Sequence, residues 1–435
     1  MSLMIRRRFV PIAMLVAVSA LANGVAPLHA QSATQLAAAV NEWPQFLGPD
    51  RNGISRETGL VDAFPVGGPK QVWRSEGGIG MSGLVVSRGR VVTMVQKEGK
   101  QFLISYDAAT GEIAWQTSLA PEYENGQGPG PRATPSVAGE RVFALTGEGI
   151  LAAVNFADGK VLWSHNLPKE LGGAPAEYGM ASSPLVVGEG DAAQVVVMVG
   201  APKGSVVALG VADGKIAWTA GNEVAGYSSP TLLDVGGRKQ IVMYTGSSVI
   251  GIQPGTGKLL WRFPYETDFN CNIAAPLAVD GKVFISAGEN HGSTLIELKP
   301  SGEGFEPSVV WESLGPASKL RNEWQTSIVL DGKIYGFDNL GGAGPITHLT
   351  CLDAATGERL WQQPRFGKGN MIAADGKLWI TMITGELVLV RANPKEYEEL
   401  GRAKVLESTR QAPTLAGGKL YLRDGQEIVC LDVRK

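Results

Sequence analysis

The sequence has few of the residues that carry most enzyme chemistry, with three cysteines and four histidines among 435 residues. Cys271, Cys351 and Cys430 lie far apart, form no CxxC or haem-attachment motif, and stand in apolar or strand-like surroundings. We therefore expect free, buried thiols and no disulfide framework. The histidines are too scattered to form a zinc site, and no GxSxG motif marks a hydrolase nucleophile.

Charge is also scarce, since only 19 % of the residues are charged and the formal net charge is −3. Residues 1–30 contain three arginines and no acid, so the rest of the chain has 36 basic against 42 acidic residues and a net charge of −6. A nucleic-acid-binding protein usually has a basic surplus, so we expect no nucleic-acid partner. Glycine is abundant instead, with 57 residues, and a hydrophobic content of 44 % excludes a disordered chain.

The N-terminus has the three parts of a secretory signal peptide. Arg6-Arg7-Arg8 precedes an apolar run from Phe9 to Ala22, and Ala30 supplies a small residue before the predicted cleavage point. The apolar run is shorter than the roughly 20 residues of a membrane span, which disfavours an uncleaved anchor. We expect residues 1–30 to be a signal peptide and 31–42 a linker, with either general or twin-arginine export. Because no cysteine stands near the cleavage point, the mature protein is predicted to be periplasmic or secreted, without a lipid anchor or transmembrane segment.

One phrase recurs along the chain and ends in tryptophan. Its clearest copy is Asp107-Ala-Ala-Thr-Gly-Glu-Ile-Ala-Trp115, in which Asp, Thr and Gly suit a tight turn and the following residues suit a strand. Successive tryptophans are 42 to 55 residues apart, and such a strand-filled period indicates propeller blades. The tryptophans are Trp73, Trp115, Trp163, Trp218, Trp261, Trp311 and Trp361.

A second repeated element, a hairpin that often begins with Ser-Pro or Ala-Pro, occurs eight times. The last repeat lacks its outer strand, whereas the early strand Gln71–Trp73 has no repeat of its own and can complete that blade. Residues 403–406 supply the outer strand of the preceding repeat without a tryptophan. The sequence therefore predicts an all-β, eight-bladed propeller over residues 43–435, with four-stranded antiparallel blades, closed by pairing of the N- and C-terminal strands. We expect a monomer.

The repeated phrase, together with its Ser-Pro and Ala-Pro strands, resembles the repeats of the PQQ-like (pyrroloquinoline-quinone) β-propeller superfamily. This superfamily includes BamB-type scaffolds and quinoprotein dehydrogenases, so the resemblance is specific for fold and not for activity. The segment from Trp43 to Gly53 is similar to the opening of exported bacterial proteins that carry such repeats. The resemblance also implies that the seven tryptophans are structural and dock between neighbouring blades.

Polar residues gather in loops that a propeller places on one face. The loops leading into the innermost strand of a blade and those joining its second and third strands emerge together, because antiparallel strands alternate in direction. We call this the upper face. Converging loops on a rigid scaffold often form binding sites, although such residues are equally suited to contact only solvent. The predicted ligand-binding residues are Arg132, Glu177, Asn270, Asn272, Glu289, Asn290, His291, Arg321, Asn322, Glu323, Asp338 and Asn339. The same loops carry Tyr178, Tyr227, Trp324 and Arg410.

Two functions remain open from the sequence. The first is a non-catalytic scaffold that binds an unknown protein or small-molecule ligand on the upper face, with no cofactor and no catalytic residue. The second, implied by the resemblance, is an oxidoreductase for an alcohol or sugar that holds PQQ and Ca²⁺, with Glu177, Asn270 and Asp338 as candidate metal ligands. The adjacent cysteines of the alcohol dehydrogenases and any haem motif are absent from the sequence, which favours the scaffold.

Overall fold

A computed structural model describes residues 41–342 and 346–435 and confirms the eight-bladed propeller. Every blade is a four-stranded antiparallel sheet. The predicted signal peptide and residues 31–40 of the predicted linker lie outside the described residues, so the division of the chain at 30 and 42 stays a prediction.

Strands are numbered in chain order, and each of blades 1 to 7 uses four consecutive strands. Blade 1 contains β2 (Val85–Ser87), β3 (Arg90–Lys97), β4 (Lys100–Asp107) and β5 (Ile113–Pro121). Blade 2 contains β6 (Ser136–Ala138), β7 (Arg141–Leu145), β8 (Ile150–Asn155) and β9 (Val161–Asn166). Blade 3 contains β10 (Leu185–Val187), β11 (Gln194–Ala201), β12 (Gly204–Gly210) and β13 (Ile216–Ala220). Blade 4 contains β14 (Thr231–Val235), β15 (Arg238–Tyr244), β16 (Ser248–Ile252) and β17 (Leu259–Pro264).

The remaining blades follow the same plan until the chain ends. Blade 5 contains β18 (Leu277–Val279), β19 (Lys282–Ala287), β20 (Gly292–Ser301) and β21 (Gly304–Leu314). Blade 6 contains β22 (Ile328–Leu330), β23 (Lys333–Leu340), β24 (Ile346–Asp353) and β25 (Arg359–Gln363). Blade 7 contains β26 (Gly369–Ala374), β27 (Lys377–Met382), β28 (Glu386–Arg391) and β29 (Glu399–Lys404). Blade 8 contains β30 (Thr414–Ala416), β31 (Lys419–Arg423), β32 (Glu427–Asp432) and the early strand β1 (Lys70–Glu76).

Helical structure in the described residues is confined to short segments. One turn of α-helix, α1, spans Leu167–Glu170, and two 3₁₀ turns span Gly190–Ala192 and Asp268–Asn270. None of the described helices has the length and apolar character needed to cross a bilayer.

Blade 8 closes the ring as predicted, since β1 pairs antiparallel with β32 and brings Trp73 opposite Cys430. One predicted boundary differs. The outer strand of blade 7 begins at Glu399 rather than 403, because the backbone N–H of Arg391 bonds the carbonyl of Glu398 and ends the preceding turn there.

The hydrophobic core lies in the seams between blades. Alternate residues of a strand point to opposite faces of its sheet, so each middle strand contributes to two seams. In β3, Val91 and Val95 pack in the seam with blade 8, whereas Val92 and Met94 pack in the seam with blade 2. Middle strands are therefore apolar on both faces, which explains their nearly continuous hydrophobic sequences.

The repeated tryptophans lie at these seams, and five of the seven indole N–H groups donate to a backbone carbonyl in the following blade. Trp115 donates to Phe156 at 2.9 Å, and Trp73, Trp163, Trp311 and Trp361 make equivalent bonds. Trp218 and Trp261 differ, because their N–H groups donate to glutamine side chains of their own blades. No local pattern indicates this difference, because Gln194 and Gln240 lie in the second strand of the blade and the tryptophans in the fourth.

The glycine makes room for a tryptophan in five of the turn phrases, which gives a stability prediction. Gly159 has a φ of 75°, and an added Cβ would lie 2.7 Å from Cε3 of Trp115. We expect Gly159→Ala to lower the free energy of unfolding by about 3 kcal/mol, through backbone strain and overpacking together. Gly139 in the same blade has a φ of 54° but nothing within 4 Å of such a Cβ. Gly139→Ala should therefore cost only about 1 kcal/mol. Urea unfolding of both variants measures the difference, and equal losses would contradict a role for the tryptophan contact.

Candidate functional site

The segment from residue 43 to residue 57 crosses the lower end of the central channel, opposite the upper face. Trp43 forms a two-bond antiparallel bridge with Val86 of blade 1, with both N–H to carbonyl distances at 2.8 Å. The carbonyl of Pro44 accepts from Val137 of blade 2 at 2.8 Å. The segment thus pairs with innermost strands as an additional piece of sheet.

The same segment continues to the other side of the channel. The buried guanidinium of Arg51 donates to the carbonyls of Ser183 and Pro184 at 2.9 and 2.8 Å in blade 3. Farther along, Ile54 bridges Ala373 of blade 7, and the carboxylate of residue 57 accepts from two backbone N–H groups in the lower turn of blade 8. Because five blades hold it, this segment forms a fixed floor.

Above this floor a cavity of about 640 Å³ opens on the upper face. Trp43, Phe46 and Leu47 line its lower part, and four aromatic side chains line the upper part. These are Tyr178, Tyr227, Phe269 and Trp324. A cavity of this size, largely apolar and with a few polar groups at its mouth, is typical of a site for a small ligand or a few protein side chains.

Two bulky apolar residues of the cavity are held in the left-handed backbone region. Phe269 has a φ of 57° and a side chain that is 63 % exposed, and Leu47 has a φ of 56°. A bulky residue at positive φ is unfavourable, and exposure of an aromatic ring to water adds a further cost. Such costs concentrate at functional sites, and those of Phe269 point to the cavity mouth as a binding surface.

Charged groups occupy opposite sides of the cavity. Arg132 and Arg410 lie in the upper loops of blades 2 and 8, whereas Glu289 and Glu323 lie in those of blades 5 and 6. Arg132 donates to the carbonyls of loop residues 128 and 130 at 2.6 and 2.5 Å, and burial lowers its pKa. Lys368 pairs with Glu323 at 2.6 Å.

Cys271 also lines the cavity, but its surroundings do not activate it. Burial, followed by the nearby carboxylates of Glu289 and Glu177, raises the pKa of the thiol to about 11. The thiol therefore stays protonated at neutral pH and is a poor nucleophile. Among residues 41–342 and 346–435, no group of three His, Cys, Asp or Glu side chains is arranged to hold a metal ion.

The twelve residues predicted to bind a ligand fall into three groups. Arg132, Glu289 and Glu323 line the cavity. Glu177 and Asn270 are exposed on the upper face outside the cavity lining, and Asn290 braces two upper loops by accepting from the N–H of Gly341 at 2.9 Å. The other six lie away from the cavity lining: Asn272, His291, Arg321, Asn322, Asp338 and Asn339.

Five of these six are buried among partners within the blades, which differs from the prediction. Arg321 and Asp338 form a two-bond ion pair at 2.7 and 3.0 Å, with side-chain exposures of only 4 and 1 %. The amide of Asn339 donates to the carbonyl of Arg321 at 2.8 Å. Asn322 and Asn272 likewise use their side-chain amides on backbone carbonyls. These groups stabilise loops of blades 5 and 6 from inside and are not accessible to a ligand.

His291 packs against Tyr265 with ring centroids 4.2 Å apart and lines a separate 280 Å³ cavity beside blades 4 and 5. Burial lowers the pKa of its imidazole. It therefore does not belong to the central cavity.

The residues proposed as calcium ligands do not form a metal site. Glu177 and Asn270 are exposed, whereas Asp338 is committed to Arg321. Calcium requires six to eight converging oxygen atoms, and Asp338, buried in its ion pair with Arg321, is not available to join Glu177 and Asn270. The three residues named for the PQQ and Ca²⁺ alternative thus do not fit a shared calcium site.

Sequence reasoning missed most of the apolar lining. Trp43, Phe46 and Leu47 precede the first strand and belong to no repeat, and Phe269 lies in a loop between blades with no motif that marks it. The aromatic content of the motif from Trp43 to Gly53 was a usable signal, since exposed linkers rarely carry such residues.

Comparison with known proteins places the chain in a family. The sequence profile of a family described as outer membrane protein assembly factor BamB matches residues 57–195, 135–333 and 347–434. Outer membrane protein assembly factor BamB of Yersinia pestis is 21 % identical over 297 residues, which cover 67 % of this chain and 71 % of that protein. The protein of the same description from Escherichia coli is 22 % identical over 327 residues, 73 % of this chain and 77 % of that protein.

Solved structures share the fold at low identity. BamB from Moraxella catarrhalis superposes with a TM-score of 0.56 at 16 % identity, covering 83 % of this chain and 97 % of that structure. Quinohemoprotein alcohol dehydrogenase from Comamonas testosteroni superposes with a TM-score of 0.50 at 14 % identity, covering 92 % of this chain and 82 % of that structure. Since the family profile matches most of the described propeller, the chain belongs to the BamB family of PQQ-like β-propellers.

Proposed function

We propose that this protein is a non-catalytic propeller scaffold that binds a protein partner through the cavity on its upper face. The family and the names of the relatives support a role in the assembly of outer membrane proteins, and the predicted signal peptide supports export to the periplasm. The observation that carries the proposal is the cavity itself, which is closed below by residues 43–57 and lined above by four aromatic side chains, of which Phe269 is exposed.

The chemistry of the cavity supports binding rather than catalysis. Its thiol, Cys271, has a pKa raised to about 11 by burial, and the acids Glu289 and Glu323 occur without a histidine or a metal cluster among the described lining residues. Aromatic rings such as those of Phe269 and Trp324 provide large contact areas at low cost in conformational entropy, which is typical of protein-binding surfaces. We propose no cofactor, and nothing in the cavity favours the dehydrogenase alternative.

The proposal is tested by complementation in the organism of origin. Deletion of the gene should lower the proportion of outer membrane β-barrel proteins that migrate as folded species on unheated gels. The intact gene should restore folding, whereas a Phe269→Ser/Trp324→Ser variant should not, because it removes two aromatic contacts at the cavity mouth. Ile216→Ser/Leu360→Ser is the matched control, since these residues are 42 and 40 % exposed on the outer strands of blades 3 and 6.

Two results would contradict the proposal. Unchanged folding of β-barrel proteins after deletion of the gene would contradict the role in assembly. Full restoration by the Phe269→Ser/Trp324→Ser variant would show that the cavity is not needed for that role. The purified protein should also keep its thermal midpoint when PQQ and Ca²⁺ are added. A raised thermal midpoint together with PQQ-dependent alcohol oxidation would show that the protein is an enzyme and contradict the scaffold function.

A further inference from the structure

The walls of the central cavity carry opposite charges on opposite sides of the propeller. The basic side is formed by Arg410 of blade 8 and Arg132 of blade 2, which flank blade 1. The acidic side is formed by Glu289 of blade 5 and Glu323 of blade 6. In a closed ring of eight blades, blade 5 stands opposite blade 1, so the two sides face each other across the mouth.

The basic side has one anchored and one exposed guanidinium. Arg132 is fixed by two backbone carbonyls and stacks 5.0 Å from the ring centroid of Tyr123. Arg410 is exposed, and its Nη1 donates to the carbonyl of Gln127 at 3.3 Å. Burial lowers the pKa of Arg132, and the positive charge of Arg410 lowers it further. Since no carboxylate is paired with either of them among the described ion pairs, this side attracts an anionic group.

The acidic side combines several carboxylates. Lys368 pairs with Glu323 at 2.6 Å. Burial and, after it, the carboxylates of Glu289, Glu177, Glu323 and Asp268 raise the pKa of the Cys271 thiol. These acids therefore lie around one point of the mouth. Their summed field favours a cationic group there and disfavours an anionic surface.

We propose that the cavity binds an extended polypeptide segment that crosses the mouth, places one aromatic or large aliphatic side chain inside, and carries an acidic flank over Arg410 and a basic flank over Glu289. This inference rests on the proposed scaffold function and names the chemistry of its partner. The walls complement a ligand with both charges far better than an anionic lipid surface or a nucleic acid, which the acidic side repels. The apolar floor at Phe46 and Leu47 fits the uncharged centre of such a segment.

The test uses fluorescein-labelled nine-residue peptides and measures their affinity by fluorescence anisotropy. The probe peptide has a central phenylalanine, two aspartates at one end and two lysines at the other, with serine elsewhere. Comparison peptides carry aspartates at both ends, lysines at both ends, serine at all flanking positions, or serine in place of the phenylalanine. We expect the probe to bind about fivefold more tightly than each comparison peptide. A fivefold difference corresponds to the loss of one exposed charge contact, or to the loss of the apolar contact in the peptide without phenylalanine.

Charge-reversal variants make the prediction specific. Arg410→Glu should weaken binding of the probe peptide and make the peptide with lysines at both ends the preferred ligand. Glu289→Lys should make the peptide with aspartates at both ends the preferred ligand. Arg391→Glu is the matched control, because Arg391 is 46 % exposed and pairs with Glu398 between β28 and β29, away from the floor and the cavity lining. Thermal midpoints of the variants establish that they are folded.

Equal affinity for all peptides, no binding of any peptide, or unchanged preference in both reversal variants would overturn the inference. These failures are distinguishable from failure of the scaffold function, which is measured by outer membrane protein folding with the Phe269→Ser/Trp324→Ser variant. If that variant fails to complement and the peptides do not bind, the cavity contacts a partner of different chemistry.

Discussion

Replacement of Arg423 by methionine is expected to lower the free energy of unfolding by about 4 kcal/mol, because it leaves several buried acceptors without a donor. The guanidinium of Arg423 in β31 donates to the carbonyls of Gly78, Met94 and Ser82 at 2.6, 2.7 and 3.2 Å, and to the hydroxyl of Thr93 at 2.9 Å. All four acceptors belong to the chain around blade 1. Arg423 therefore joins the C-terminal strands to the N-terminal blade at the place where the ring closes.

Burial lowers the pKa of Arg423 to about 10, so the side chain stays protonated at neutral pH and keeps all its donors. Arg74→Met is the matched control, since Arg74 pairs with Glu427 on the exposed side of blade 8, and an exposed pair contributes at most about 1 kcal/mol. Denaturant unfolding at pH 7 measures both variants. A similar loss in the two would show that the buried donors of Arg423 do not hold the closure.

The second large effect concerns the buried ion pair of blade 6. Asp338→Leu is expected to lower the free energy of unfolding by about 4 kcal/mol, because it leaves the guanidinium of Arg321 buried without a counter-charge. Arg359 lies 3.6 Å from the same carboxylate, but its side chain is 34 % exposed and can turn to solvent. The double variant Arg321→Met/Asp338→Leu should recover most of the loss, since an apolar pair of similar volume often replaces a buried ion pair at little cost.

Denaturant unfolding of Asp338→Leu, Arg321→Met and the double variant forms a complete double-mutant cycle for this pair. Glu398→Leu is the surface control, because Glu398 pairs with Arg391 at exposures of 41 and 46 %, and we expect it to lose less than about 1 kcal/mol. A double variant as unstable as Asp338→Leu would contradict the assignment. Folded Asp338→Leu should also bind the probe peptide normally, because Asp338 does not line the cavity.

The architecture was predictable because it depends on local and periodic information. The turn phrase ending at Trp115 recurs with little change, and every copy must form the same hairpin to cover the apolar face of its neighbour. The missing outer strand of the last repeat and the spare strand at Trp73 predicted the closure that β1 and β32 form. Counting the strands of each repeat predicts this pairing, because an incomplete blade and an unpaired strand are both unfavourable until they combine.

The candidate site was predictable only in part. A cavity does open on the upper face, and Arg132, Glu289 and Glu323 line it, whereas binding at this face stays a prediction. Loop position alone could not separate them from Arg321 and Asp338, which have the same residue types in the same loops. Whether a charged side chain points into the channel or into the blade depends on partners that are distant in sequence.

Repetition along the chain was thus sufficient to specify the blades, their number and their closure, because each blade obeys the same short-range pattern. The use of the central channel was decided by long-range packing. Residues 43–57 become a floor only when five blades offer them backbone partners, and Phe269 and Trp324 become neighbours of one cavity only when the ring closes. The same closure sets the arginines of blades 8 and 2 across the mouth from Glu289 of blade 5, and no local pattern encodes a distance across a ring.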